Sequence, residues 1–210
     1  MKSIEPIIKN ELFQENNLSY YYDDFRIKLH FELTENNIIK ITETNFFTVT
    51  PTSLEEIILN FWVSQDAFIE ESDTIYTRLN TAQTKIDGIN LDNYFENNTI
   101  IPENIVNGDK KEKHYKIPLV NKEKYEIERV IEMTQDLDYD RLCSFSSSRM
   151  INGMSLRISL CDKLKYFFSC PNNINLKKDR LHTIENNYLN KECTLPGNIY
   201  NIFIYKKDDI

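Results

Sequence analysis

Asn152-Gly153 sits between two runs in which apolar and small polar residues alternate. Asn-Gly is the preferred pair for a two-residue hairpin turn, because both central residues of a type I′ turn need positive φ. A tight turn there pairs Ile151 with Met154, Arg149 with Leu156, Ser147 with Ile158 and Phe145 with Leu160. One face of that hairpin is largely apolar. The other carries Ser144, Ser146, Ser148, Ser155, Arg157, Ser159 and Cys161. Hydroxyls offer hydrogen bonds in both senses, and a guanidinium offers a planar fork for a carboxylate or another anion. Arg157, Ser146, Ser148 and Ser159, with Arg149 beside the turn, are therefore the candidate ligand-binding residues, for a protein partner or a small anionic ligand. An ordinary solvent face of an amphipathic hairpin has the same composition, and a one-residue slip in register would invert it.

Asp136, Asp138 and Asp140 alternate just before that segment. Three carboxylates at this spacing resemble the first half of a calcium loop, where hard oxygen ligands gather round the ion. The second half fails, because Arg141 stands where the glycine is required and Ser147 where the bidentate glutamate belongs. The aspartates are thus weak metal candidates, and a solvated acidic turn accounts for them better. No metal or cofactor is expected. The four cysteines (Cys143, Cys161, Cys170 and Cys193) lack the close pairs of a zinc site. The three histidines, His30, His114 and His182, show no partner spacing that marks a catalytic base. The G-x-S-x-G elbow, the phosphate loops and H-E-x-x-H are absent. Two basic clusters, Lys110, Lys111, Lys113, His114 and Lys116, then Lys177, Lys178 and Arg180, could steer an anion. They lack the interleaved aromatic rings that stack on bases.

Those side chains need a scaffold, and the composition favours a β-rich one. The chain has 210 residues with 12 Phe and 12 Tyr, enough apolar mass for a core without disulfides or metal. Alanine occurs twice, at Ala67 and Ala82, while Ile, Tyr, Phe and Thr are plentiful, which tilts the balance from helix to strand. Residues 1–19 read as a polar lead-in. Phe25, Ile27, Leu29, Phe31 and Leu33 then alternate with polar residues, a half-buried strand. Glu35-Asn36-Asn37 turns the chain, and Ile38–Thr50 forms the second strand of a hairpin with a bend near Thr44-Asn45. Ser53-Leu54-Glu55-Glu56 fits a capping box, which favours a helix over a strand for 54–69. A short strand follows around Ile75–Leu79. Residues 84–114 read as long loops, with Asp87-Gly88 and Asn107-Gly108 as turn pairs. Strands are expected at Tyr115–Leu119, Tyr125–Met133, Tyr166–Phe168 and Ile199–Tyr205, with a type II turn at Leu195-Pro196-Gly197-Asn198. The expectation is a mainly β fold: an antiparallel β-sandwich or open barrel with one or two short helices. It forms a single domain over 1–210, with any division into lobes falling in 84–114.

The net charge of −8 is a poor match for nucleic acid or an anionic membrane. No window has the apolar length of a membrane span, and Met1-Lys2-Ser3-Ile4-Glu5-Pro6 lacks the apolar stretch of a signal peptide. A cytoplasmic location with reduced thiols is the expectation. The function expected from these residues is a non-enzymatic binding module, sensing or regulatory, in a bacterial or viral system. An enzyme with an unrecognised carboxylate or cysteine site is the first alternative. A structural protein pairing through sheet edges, as a homo-oligomer for instance, is the second.

Overall fold

The computed structural model describes residues 19–66, 75–98, 102–171, 174–178 and 186–209. The chain runs β1 (Tyr20–Leu33), β2 (Ile38–Pro51), β3 (Ile57–Asp66), β4 (Thr77–Leu79), β5 (Lys85–Ile86), β6 (Ile89–Asn90) and helix α1 (Leu91–Asn98). It continues through β7 (Glu103–Asn107), β8 (Lys110–Leu119), β9 (Tyr125–Asp136), β10 (Leu142–Ser147) and β11 (Ile151–Leu160). The last strands are β12 (Leu164–Ser169), β13 (Lys177–Lys178), β14 (Asn186–Thr194) and β15 (Gly197–Lys206). The fold is mainly β, built as packed sheets with none closed into a barrel. The expected polar lead-in, apart from Ser19, and the last part of the expected 54–69 helix lie outside the described residues.

A large sheet has the order β13-β14-β11-β1-β2-β9-β5-β6, with β4 also on β9. Two three-stranded sheets, β3-β8-β7 and β10-β15-β12, are the others among the described residues. The β1–β2 hairpin forms as the alternation requires, Leu33 opposite Ile39 and Phe31 opposite Ile41. The expected bend at Thr44-Asn45 does not occur. Residues 39, 41, 43, 45, 47 and 49 all face inward, so Glu43 and Asn45 occupy core positions in an unbroken period of two. The irregularity sits instead on β1, where Asp24 takes φ 48° and the register with β2 shifts between Asp23 and Arg26.

The expected hairpin at Asn152-Gly153 is also overturned. β10 pairs with β15, while β11 pairs parallel with β1 and antiparallel with β14. Gly153 keeps the positive φ its type allows, 76°, but inside a strand. It lies level with Asp24 of β1 and with the register shift of β14, so one line of bulges crosses three strands. Asn152 uses its amide to donate to Asp23 Oδ1 at 2.8 Å across the parallel pair. By contrast Asp87-Gly88 and Asn107-Gly108 do join adjacent strands, β5 to β6 and β7 to β8.

Residues 57–66 form a strand, not the expected helix. Ile57, Leu59, Phe61 and Val63 are buried on one side, and all ten residues pair with β8. The capping signal reduces to a turn in which Ser53 Oγ accepts from the Glu55 amide at 3.4 Å. β-branched and aromatic residues suit a half-buried pleat, and a ready partner strand outweighs the local cap. Leu195-Pro196-Gly197 does not close a hairpin. It carries the chain from β14 in the large sheet to β15, the middle strand of the third sheet. Side chains from all three sheets join one buried cluster, including Phe25, Leu29, Ile41, Leu59, Phe61, Ile117, Leu156, Ile202 and Ile204.

Candidate functional site

The inward face of the large sheet carries two ionisable side chains at its centre. Glu43 on β2 is 7% exposed, and Arg129 on β9 sits beside it. Arg129 Nη2 donates to Glu43 Oε1 at 3.2 Å, and Asn45 Nδ2 donates to the same oxygen at 2.6 Å. Asn45 is fully buried and lies directly opposite Arg129 in the register. The Arg129 guanidinium lies 5.9 Å from the Phe61 ring of β3. The group therefore stands where the large sheet meets the second one. An aromatic column joins the large sheet to the third: Phe25 stacks on Phe47 at 4.6 Å, Phe145 lies 5.6 Å from Phe25, and Tyr200 lies 5.5 Å from Phe145.

Above this floor is a cleft of about 620 Å³, open to solvent and lined by all three sheets. β1, β2 and β9 give the floor, including Tyr22, Glu43 and Arg129. Asn60, Trp62 and Ser64 of β3 form one wall, and Ser144 and Ser146 of β10, with Ser148 just beyond it, form the other. The volume is in the range of pockets that enclose a small molecule.

Buried polar groups are normally paired, so unpaired ones are informative. Asn45 Oδ1, Asn60 Oδ1, Arg129 Nε and Gln135 Oε1 are buried without a hydrogen-bond partner among the described residues, and three of these four residues line the cleft. Glu43 receives both of its hydrogen bonds on Oε1, which leaves Oε2 uncommitted. On β10, burial pushes the Cys143 thiol up to about 12, helped by the negative charges of Glu43 and Asp140. Burial also raises the Tyr200 phenol well above its ordinary value, again with Glu43 contributing. The Tyr22 phenol is raised by burial and then by its neighbour Tyr20. All three hydroxyl or thiol groups stay protonated at neutral pH, so the floor's charge resides in Glu43 and Arg129.

No protein-family model matches the chain, and no curated protein matches it. Solved structures do. An M1 zinc metallopeptidase from Deinococcus radiodurans is 11% identical, over 88% of this chain and 42% of that one, with a TM-score of 0.38. A putative protease from Parabacteroides distasonis is 7% identical, over 88% and 40%, with a TM-score of 0.42. A putative nutrient binding protein from Legionella pneumophila is 8% identical, over 89% and 67%, with a TM-score of 0.43. The chain spans about 42% of the metallopeptidase it matches.

The serine face expected from the sequence is split by the topology. Ser146 and Ser148 line the cleft, whereas Arg157 and Ser159 lie on the opposite, outer face of the large sheet. There they border a shallow depression with Lys28 and His30, and Ser159 Oγ is 2.8 Å from His30 Nδ1. Arg149 joins neither group; its guanidinium stacks 4.4 Å from the Tyr20 ring. Asp136, Asp138 and Asp140 hold their own turn. Asp136 Oδ1 accepts from the Asp138 amide, Asp140 Oδ1 from the Leu142 amide, and Asp138 Oδ2 from Asn37, each at 2.9 Å. Among the described residues no three His, Cys, Asp or Glu side chains are grouped to hold a metal ion, and no helix is long and apolar enough to cross a membrane. Arg180 and His182 lie outside the described residues.

Glu43, Asn45 and Arg129 escaped sequence reasoning, although a signal was present. Each occupies an odd-numbered place in a strand where the neighbouring odd-numbered residues are mostly apolar. Ile39, Ile41, Phe47 and Val49 frame the first two, and Tyr125, Ile127 and Ile131 frame the third.

Proposed function

We propose that the chain is a binding module that takes a small ligand into the cleft between its three sheets, in a sensing or regulatory role in the cytoplasm. The observation that carries this is the Glu43–Arg129–Asn45 group, set at low exposure on a cleft floor with hydrogen-bonding atoms left over. A purely structural ion pair gains most when its remaining donors and acceptors are satisfied within the fold. Here several are not, and three of the residues that carry them line a space of ligand size. Trp62, 40% exposed, and the Phe145 ring provide apolar surface for the body of such a molecule. The small serines of β10 keep the opposite wall low.

The test is binding of Prodan, an uncharged fluorophore that brightens and shifts to the blue in apolar surroundings. One saturable site is expected. Ser146→Trp places a large ring on the cleft wall and should weaken that site at least tenfold while the far-ultraviolet circular dichroism stays unchanged. Equal binding by the folded variant would place the ligand elsewhere and remove the proposal.

A further inference from the structure

We infer that the cleft selects a ligand whose polar end is an uncharged carboxamide-type group, one that offers an N–H and a carbonyl oxygen side by side. The inference rests on the proposed use of the cleft and follows from how its floor is wired. Glu43 and Arg129 form a pair of opposite charge, so the floor has little net charge to offer a free anion or cation. A carboxylate placed there meets Glu43, and an ammonium meets Arg129. Like-charge contact in a low-dielectric site is strongly unfavourable. A neutral group with both functions meets neither penalty.

The pair also presents complementary hydrogen-bonding atoms. Glu43 Oε1 is taken by Arg129 Nη2 and Asn45 Nδ2, so Oε2 is the open acceptor. Arg129 carries five N–H donors and uses one of them on Glu43. The two residues touch at 3.2 Å through Arg129 Nη2 and Glu43 Oε1 and both line the cleft, so an acceptor and donors stand on adjacent side chains of its floor. A site built to pair both functions also rejects analogues that lack one, since a buried group is then left unmatched.

The experiment measures binding of 3-(2-naphthyl)propanamide, the corresponding carboxylate and the corresponding amine to the full chain by isothermal titration calorimetry. The amide should bind at least tenfold more tightly than either charged congener, and Ser146→Trp should abolish its binding. Equal affinities that all vanish in Ser146→Trp would overturn the head-group inference and leave the cleft reading standing. Tighter binding of the acid or the amine would do the same. Binding untouched by Ser146→Trp would overturn both; no binding by any of the three would overturn the head-group inference, with Prodan binding deciding the cleft reading. Glu43→Gln adds a change of sign. With Oε1 still held by its two donors, the new amide nitrogen faces the cleft, and Arg129 loses its countercharge. The preferred congener should switch from amide to carboxylate. A folded Glu43→Gln protein that keeps the original order contradicts the assignment. The wild-type comparison decides the matter alone if that variant does not fold.

Discussion

Cys143 shows how the candidate site reaches into the core. It is buried next to Glu43, and its thiol is held at about 12 by desolvation and by the charges of Glu43 and Asp140. Only the thiolate attacks alkylating reagents. In the native protein at neutral pH, iodoacetamide should therefore leave Cys143 unmodified, while denaturant exposes it to full alkylation, as read by peptide mass mapping. Native labelling of Cys143 at the rate of a free thiol would show that the floor opens to water. The same residue scale is where sequence reading was weakest. Glu43, Asn45 and Arg129 each obey the alternation of their strand, but a charged residue at a core position looks like a break in the pattern until its partner is known. The partner lies 86 residues away, on β9. Only the register between β2 and β9 brings the two together.

At the scale of elements, alternation located the strands well and local turn chemistry located their pairing poorly. Most of the expected strands exist, and the β1–β2 hairpin formed as the residues required. Of the three Asn-Gly or Asp-Gly pairs, Asp87-Gly88 is a hairpin turn, and Asn107-Gly108 begins one whose two loop residues are Gly108 and Asp109. The third, Asn152-Gly153, became part of a bulge line because β11 is needed between β1 and β14. Positive φ satisfies either use, so dipeptide preference cannot choose between them. The capping box at Ser53 failed for a related reason, since a cap is worth about 1 kcal/mol and a ten-residue ladder with β8 outweighs it. Gly153 permits a direct check. Its φ is 76° and a Cβ there would touch nothing within 4 Å, so replacement strains the backbone alone. Gly153→Ala should lower unfolding free energy by about 1–2 kcal/mol in a urea titration. A neutral result would mean the bulge relaxes to ordinary strand geometry.

At the scale of the whole molecule, the aromatic column from Phe47 through Phe25 and Phe145 to Tyr200 ties the large sheet to the third sheet. Phe25 is 2% exposed and touches rings on both sides. Phe25→Ala should cost about 3–5 kcal/mol, the usual loss for removing a buried phenylalanine ring. Tryptophan fluorescence reports this from Trp62 on the second sheet, and near-ultraviolet circular dichroism reports it from the tyrosines. Both signals should shift together to lower urea. A shift in one alone would show that the sheets are coupled by something other than these rings. The layered β architecture was legible from composition and periodicity. The three-sheet arrangement, and hence the cleft, was not, because it depends on which strands leave the large sheet, as β10 and β15 do.

The parallel pairing of β1 with β11 has a cost in time. Asp23 and Asn152 are neighbours across that pair although 129 residues separate them. During synthesis at about 5–20 residues per second, the first hairpin therefore waits on the order of 10 s after emerging before the strand that flanks it exists. Through that interval a fourteen-residue strand, with Phe25, Ile27, Leu29 and Phe31 on one side, shows the ribosome's surroundings an unpaired edge. Nascent chains of this protein are thus most open to chaperone capture, or to sticking to one another, between completion of β2 and completion of β11.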